Sequence, residues 1–196
     1  MTVIIKYNAG NIFSVDYALR RIGVRAEITD NHECIRKAGR VIFPGVGEAS
    51  TTMKYLQQHG LDQLICSLKQ PVLGICIGMQ LMCRHSEEGN TPCLGIFNQD
   101  VMRFQPSAGI KIPHIGWNSL HNMNSPLFDG LPDNPYVYFV HSYYAAVGNH
   151  TVATSSHPDS FSAALQYGNF YALQFHPEKS GSVGETILKN FMTKAI

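Results

Sequence analysis

No apolar run in this 196-residue chain approaches the roughly 20 residues that a membrane-crossing helix needs. Charge is also scarce. Charged residues make up 15% of the chain, the formal net charge is +1, and Lys and Arg nowhere form a block. Neither nucleic acid nor an anionic membrane is therefore indicated as a partner. The segment Met1–Lys6 lacks the charged start and long apolar core of an export signal, so it reads as a first strand and the protein as cytoplasmic. The five cysteines include no CxxC pair, which removes a zinc knuckle or a thioredoxin-type centre; no metal and no cofactor are expected. Repeats, low-complexity segments and linkers are absent too, so residues 1–196 are expected to form one domain.

Hydrophobic residues make up 44%, enough for a full-sized core. The first half alternates short apolar runs with helical patterns. Strands are expected at Val3–Tyr7, Val24–Thr29, Arg40–Phe43 and Pro71–Ile75. Helices are expected at Ile12–Ile22, Asn31–Ala38, from about Glu48 to Lys69, and from Ile77 to Arg84. Such alternation implies an α/β fold with a mostly parallel central sheet flanked by helices. The second half is β-rich at Tyr136–Val140, Ala163–Tyr167 and Phe170–Gln174, which points to an antiparallel extension on one sheet edge. An amphipathic helix from about Val183 closes the chain, with Ile187, Leu188 and Phe191 at helical spacing.

Four of the cysteines read as small apolar core residues; Cys76 does not. Gly74-Ile75-Cys76-Ile77-Gly78-Met79-Gln80 leaves a buried strand and opens a helix. That is the setting of a nucleophile held above a sheet on a tight turn, with glycines where any Cβ would clash. The positive end of the helix favours a thiolate there. A thiol nucleophile needs a base, and the base an orienting group. Gln174-Phe175-His176-Pro177-Glu178-Lys179-Ser180 supplies His176 and Glu178, which in an extended segment would face one side. Oxyanion donors are expected from the Ile77 N–H and from the Pro44-Gly45-Val46-Gly47 loop, at Val46 and Gly47. The near-match of Gly45–Ser50 to a dinucleotide loop fails, because it ends in Ser and lacks the acidic partner about 20 residues on.

Together PGVG, GICIGMQ and QFHPEKS resemble the triad-type (class I) glutamine amidotransferases. The segments Tyr7–Asn11, Lys111–Asn118 and Tyr138–Tyr144 are similar to the glutaminase subunits of imidazole glycerol phosphate synthase. The likeness runs from residue 3 to about residue 192. It implies nucleophile Cys76, base His176 and orienting Glu178, with no cofactor. It implies that Gln80, Glu88, Ser142, Tyr143 and the Gly47 backbone hold the glutamine head group. Asn11, Trp117, Tyr138 and Lys179 fall where the family meets its partner, a (β/α)₈-barrel synthase subunit bound as a heterodimer. His114 and His141 are left as structural or supporting groups. Lys6 stands where the family usually has an acidic residue and Asn8 where it has glycine, both flanking the loop to Asn11.

The expected reaction is hydrolysis of glutamine to glutamate and ammonia, with ammonia passed to the partner for histidine biosynthesis. Two alternatives stay open: a related glutaminase subunit serving lipopolysaccharide-sugar amidination, and a stand-alone cysteine hydrolase of the same fold. A further expectation concerns control. Two glycines flank Val46, so the Gly45–Val46 peptide can rotate and switch an oxyanion donor on or off.

Overall fold

The computed structural model describes residues 1–7, 11–106 and 110–195; Asn8 lies outside them. Strand β1 (Thr2–Ile5) leads to helix α1 (Ile12–Arg21), β2 (Ala26–Thr29), α2 (His32–Lys37) and β3 (Arg40–Gly45). Helices α3 (Ala49–Gln58) and α4 (Leu61–Ser67) then return the chain to β4 (Val72–Cys76), which runs directly into α5 (Ile77–Met82). The four strands pair parallel, with β1, β3 and β4 as buried apolar runs and β2 as a partly exposed edge strand. One face of the sheet packs on α2 through α5 around Phe43, Leu56 and Leu64. The other packs on α1 and α6 (Gly181–Lys194) around Ile4, Leu19 and Phe191.

Short strands β5 (His85–Ser86) and β6 (Thr91–Pro92), with β7 (Asp100–Arg103), begin the second half. They are followed by β8 (His114–Ser119), β9 (Tyr136–His141) and β10 (Tyr143–Ala145). Last come β11 (Thr151–Ser156), β12 (Ser160–Tyr167) and β13 (Phe170–Leu173). The large sheet has the order β11-β12-β13-β4-β3-β1-β2. The antiparallel extension is real but consists of β11 and β12; β13 lies parallel to β4. Tyr136–Val140 is not in that sheet at all. It belongs to a two-stranded β8–β9 ribbon, while β10, β7, β5 and β6 form a separate four-stranded sheet. Among the described residues no helix is long and apolar enough to cross a membrane.

Candidate active site

Cys76 sits at the junction of β4 and α5 with φ 56° and ψ −111°, a left-handed backbone that a non-glycine residue adopts only under constraint. The constraint is close packing. A Cβ on Gly78 would lie 2.0 Å from the Phe43 carbonyl oxygen, and one on Gly74 2.9 Å from Met82 Sδ. The crossing therefore exists only because both positions are glycine. Of the other thiols, only Cys83 has the core burial expected; Cys34 and Cys93 are half-buried and Cys66 is exposed. Burial pushes the Cys66 thiol up and the Cys93 thiol up to about 12.

His176 and Glu178 do meet, though not in an extended segment. Pro177–Lys179 forms a 3₁₀ turn, where proline is tolerated at the start, and the turn folds Glu178 back. His176 Nδ1 lies 2.8 Å from Glu178 Oε1, with both side chains almost wholly buried. Burial alone would lower the His176 pKa, but hydrogen bonding to Cys76 and to Glu178 outweighs it and raises the value. Asn11 Nδ2 also donates to Glu178 Oε1. Asn11 starts α1 without capping it, so its side chain serves the Glu178 carboxylate rather than its own helix.

The Pro44–Gly47 loop is held from behind. Tyr7 O–H donates to the Pro44 carbonyl at 2.5 Å. A Cβ on Gly45 would lie 1.9 Å from Tyr7 Oη and 2.4 Å from Ile77 Cγ2. Gly45 is thus required by close approach rather than for freedom, and the left-handed backbone falls at Gly47, φ 143°. Glu48 then caps α3, accepting from Ser50 N and Thr51 N; bonds from the Thr51 and Ser50 hydroxyls, with those from the two N–H groups, hold its carboxyl down at about 2.

Cys76 and His176 open on a pocket of about 340 Å³ lined also by Val46, Gly47, Ile77, Gln80, Glu88, Ser142 and Tyr143. Every residue expected to bind substrate or oxyanion is on its wall, and Glu178 stands behind His176. Glu88 arrives there on a 3₁₀ turn between β5 and β6, its Oε2 accepting from Ala49 N at 2.8 Å. Burial raises its pKa. Gln80 Nε2 donates to the Tyr143 carbonyl and to Gln174 Oε1, each at 2.9 Å, which ties α5 to the opposite wall. Pro113, Val140, His141 and Lys179 complete the lining. A larger, open hollow of about 750 Å³ near Ser125, His150 and Gln166 holds none of this chemistry.

Trp117 is 55% exposed and packs edge-on against half-buried Tyr138 at 5.9 Å; Lys179 Nζ stands 6.0 Å from the Tyr138 ring. These are surface aromatics, not core ones. Phe13 and Tyr17 on α1, with Ile115 and Tyr136 on the ribbon, are exposed as well and were missed. The signal was available: Phe13 and Tyr17 lie off the helix face that buries Val15, Ala18 and Leu19. The Tyr7 contact with Pro44 joins residues too far apart in sequence to be legible there.

Residues 3–195 match the family model of class-I glutamine amidotransferases. The chain is 59% identical to the imidazole glycerol phosphate synthase subunit HisH of Bacteroides fragilis (strain YCH46), over 96% of this chain and 97% of that one. The HisH subunit of Haemophilus influenzae (strain Rd) is 46% identical over 97% and 96%. In fold it is similar to a crystal structure of a glutamine amidotransferase, with a TM-score of 0.74 at 19% identity, covering 97% and 96%. PurLQS from Thermotoga maritima gives 0.72 at 15%, again covering 97% and 96%. With the family model and the near-full-length relatives agreeing, the chain belongs to the class-I glutamine amidotransferases and, within them, to the HisH subunits.

Proposed function

We propose that Cys76, His176 and Glu178 hydrolyse glutamine to glutamate and ammonia. The ammonia then goes to a (β/α)₈-barrel synthase subunit that makes imidazole glycerol phosphate in histidine biosynthesis. The observation that carries this is the convergence of Cys76 and His176 on a pocket sized for one small molecule, with Glu178 bonded to His176 from behind. Support for the pathway comes from the relatives' names.

Cys76 thiolate attacks the side-chain carbonyl carbon of glutamine. The oxyanion is held by the Ile77 N–H and the loop at Val46 and Gly47. His176 gives its proton to the departing amine, leaving a γ-glutamyl thioester and ammonia. It then takes a proton from water, which hydrolyses the thioester and regenerates the thiolate. Glu178 keeps the proton on His176 Nδ1 so that Nε2 serves the reaction. Glu88 pairs with the substrate ammonium, and Gln80, Ser142 and Tyr143 close around the amino-acid end.

Trp117, Tyr138 and Lys179, beside the pocket mouth, form the docking face for the synthase subunit. A heterodimer there keeps ammonia from bulk water. Docking also moves the turn at Lys179 and, through Asn11, the triad carboxylate. The protein works in the cytoplasm. Glutamate release by the pure subunit, and then with the synthase subunit and an acceptor analogue, tests this reading. Loss of one oxyanion donor costs about 10²–10³ in turnover, so stimulation of at least about 100-fold is expected. Full-speed hydrolysis by the lone subunit would overturn the coupling.

A further inference from the structure

His114 and His141 are a buried pair that the reaction above does not use. They face each other across the ribbon as partners in the β8–β9 register. His141 Nδ1 lies 2.8 Å from the Tyr143 carbonyl oxygen. A carbonyl can only accept, so that nitrogen carries the hydrogen. A neutral ring then has its lone pair on Nε2, which lies 3.0 Å from His114 Nδ1. His114 must therefore donate from Nδ1 and accept at Nε2. Asn118 Nδ2, which donates to the Ser156 carbonyl at 2.9 Å, approaches that last atom to 3.4 Å. One proton arrangement satisfies the whole chain, and every hydrogen in it points toward Tyr143.

The neutrality that this logic needs is enforced by the surroundings. Burial lowers His141 to about 3, against the pull of the Tyr143 carbonyl, with His114, His157 and His176 repelling a further charge. Burial likewise lowers His114 to about 4, with His157 stacked on it at 4.1 Å. With the rest unchanged, a proton added to either ring would set donor against donor. At its other end the relay meets the pocket. The Tyr143 carbonyl also accepts from Gln80 Nε2, and Ser142 and Tyr143 line the wall.

We propose that His141, its tautomer set by the Tyr143 carbonyl and held by the bond from His114, is a positioning residue for substrate. Its Nδ1–H and the Gln80 amide together hold the Tyr143 carbonyl, fixing the backbone of Ser142 and Tyr143 where the amino-acid end of glutamine binds. The proposal rests on the glutamine-pocket reading above. It predicts a binding effect in the ground state, not a loss of the chemical step.

Two measurements test it. Nitrogen-15 NMR of histidine-labelled protein at neutral pH should find both rings neutral with the hydrogen on Nδ1. A cationic ring, or an Nε2–H tautomer on His141, would overturn the relay. Steady-state glutaminase kinetics in the complex with the synthase subunit should then separate three variants. His141→Asn places an amide N–H where Nδ1 stood and should keep KM for glutamine within about twofold of wild type. His141→Gln reaches toward His114 instead, and His141→Phe toward neither; both should raise KM about tenfold with kcat within about threefold. Equal KM in all three, or a fall in kcat alone, would contradict the positioning role. If the wild-type complex released no glutamate, the glutaminase reading would fail, and the NMR tautomers would still decide the relay on their own.

Discussion

Two regions meet at the pocket and are built differently. The turn from β4 into α5 is fixed by steric contacts of glycines spaced around Cys76, with Phe43 pressing directly on Gly78. The opposite wall, from β8 through β10, is fixed by hydrogen bonds that bring Gln80 to the Tyr143 carbonyl and His114 to His141, partners far apart in sequence, together with the local bond from His141 to Tyr143. The first has no slack: a single methyl group has nowhere to go. The second is a set of directional bonds that a similar side chain could partly replace. In the proposed mechanism the rigid half holds the nucleophile and the adjustable half supplies selectivity for glutamine.

The largest effect should come from the triad. His176→Ala should lower partner-stimulated turnover by about 10⁴–10⁶, and Glu178→Gln should cost about a hundredfold less, because an orienting group can be lost without losing the base. Side-by-side glutamate-release assays would measure both. Wild-type activity in Glu178→Gln would remove Glu178 from the triad.

Paired glycine substitutions sharpen the contrast between the regions. Gly78→Ala drives a Cβ to 2.0 Å from a backbone oxygen, whereas a Cβ on Gly116 of the ribbon meets nothing within 4 Å. Gly78→Ala should cost about 3 kcal/mol or more in denaturant unfolding. Gly116→Ala carries only the strain of φ 137°, about 1–2 kcal/mol. Equal costs would break the distinction drawn here.

An effect comparable to that of Gly116→Ala is expected on acid stability. His141 has a folded pKa of about 3, below its unfolded value. Its neutral form thus contributes stability that is complete above about pH 6.5 and is lost as pH falls toward 3. By pH 5 the loss should be about 2 kcal/mol from this ring. Unfolding midpoints of wild type and His141→Asn, compared between pH 7 and pH 5, should show a shallower decline in the variant.

The same contrast governs what could be read beforehand. The elbow was legible because its chemistry is local: a glycine two residues either side of the cysteine, after a buried strand. The meeting of His176 with Glu178 was legible as a pairing but not in its geometry, since Pro177 begins a 3₁₀ turn instead of continuing a strand. Strands β5 and β6, two residues each, are too short to leave any periodic pattern, so the separate four-stranded sheet was invisible. His141 did leave a trace. It follows Val137 and Phe139 at period two on the buried face of β9. What a histidine does at such a position depends on β8 opposite, which a single strand's pattern does not carry.

The central claim is that Cys76 is the nucleophile, and limited alkylation by a glutamine-like diazo-ketone, read by mass spectrometry, tests it most directly. Cys76 faces the pocket and His176, whereas Cys66, Cys83 and Cys93 have their thiols pushed upward by burial. Modification is expected at Cys76 first, with loss of glutaminase activity in proportion. Modification first at Cys34, Cys66, Cys83 or Cys93, with activity retained, would contradict it.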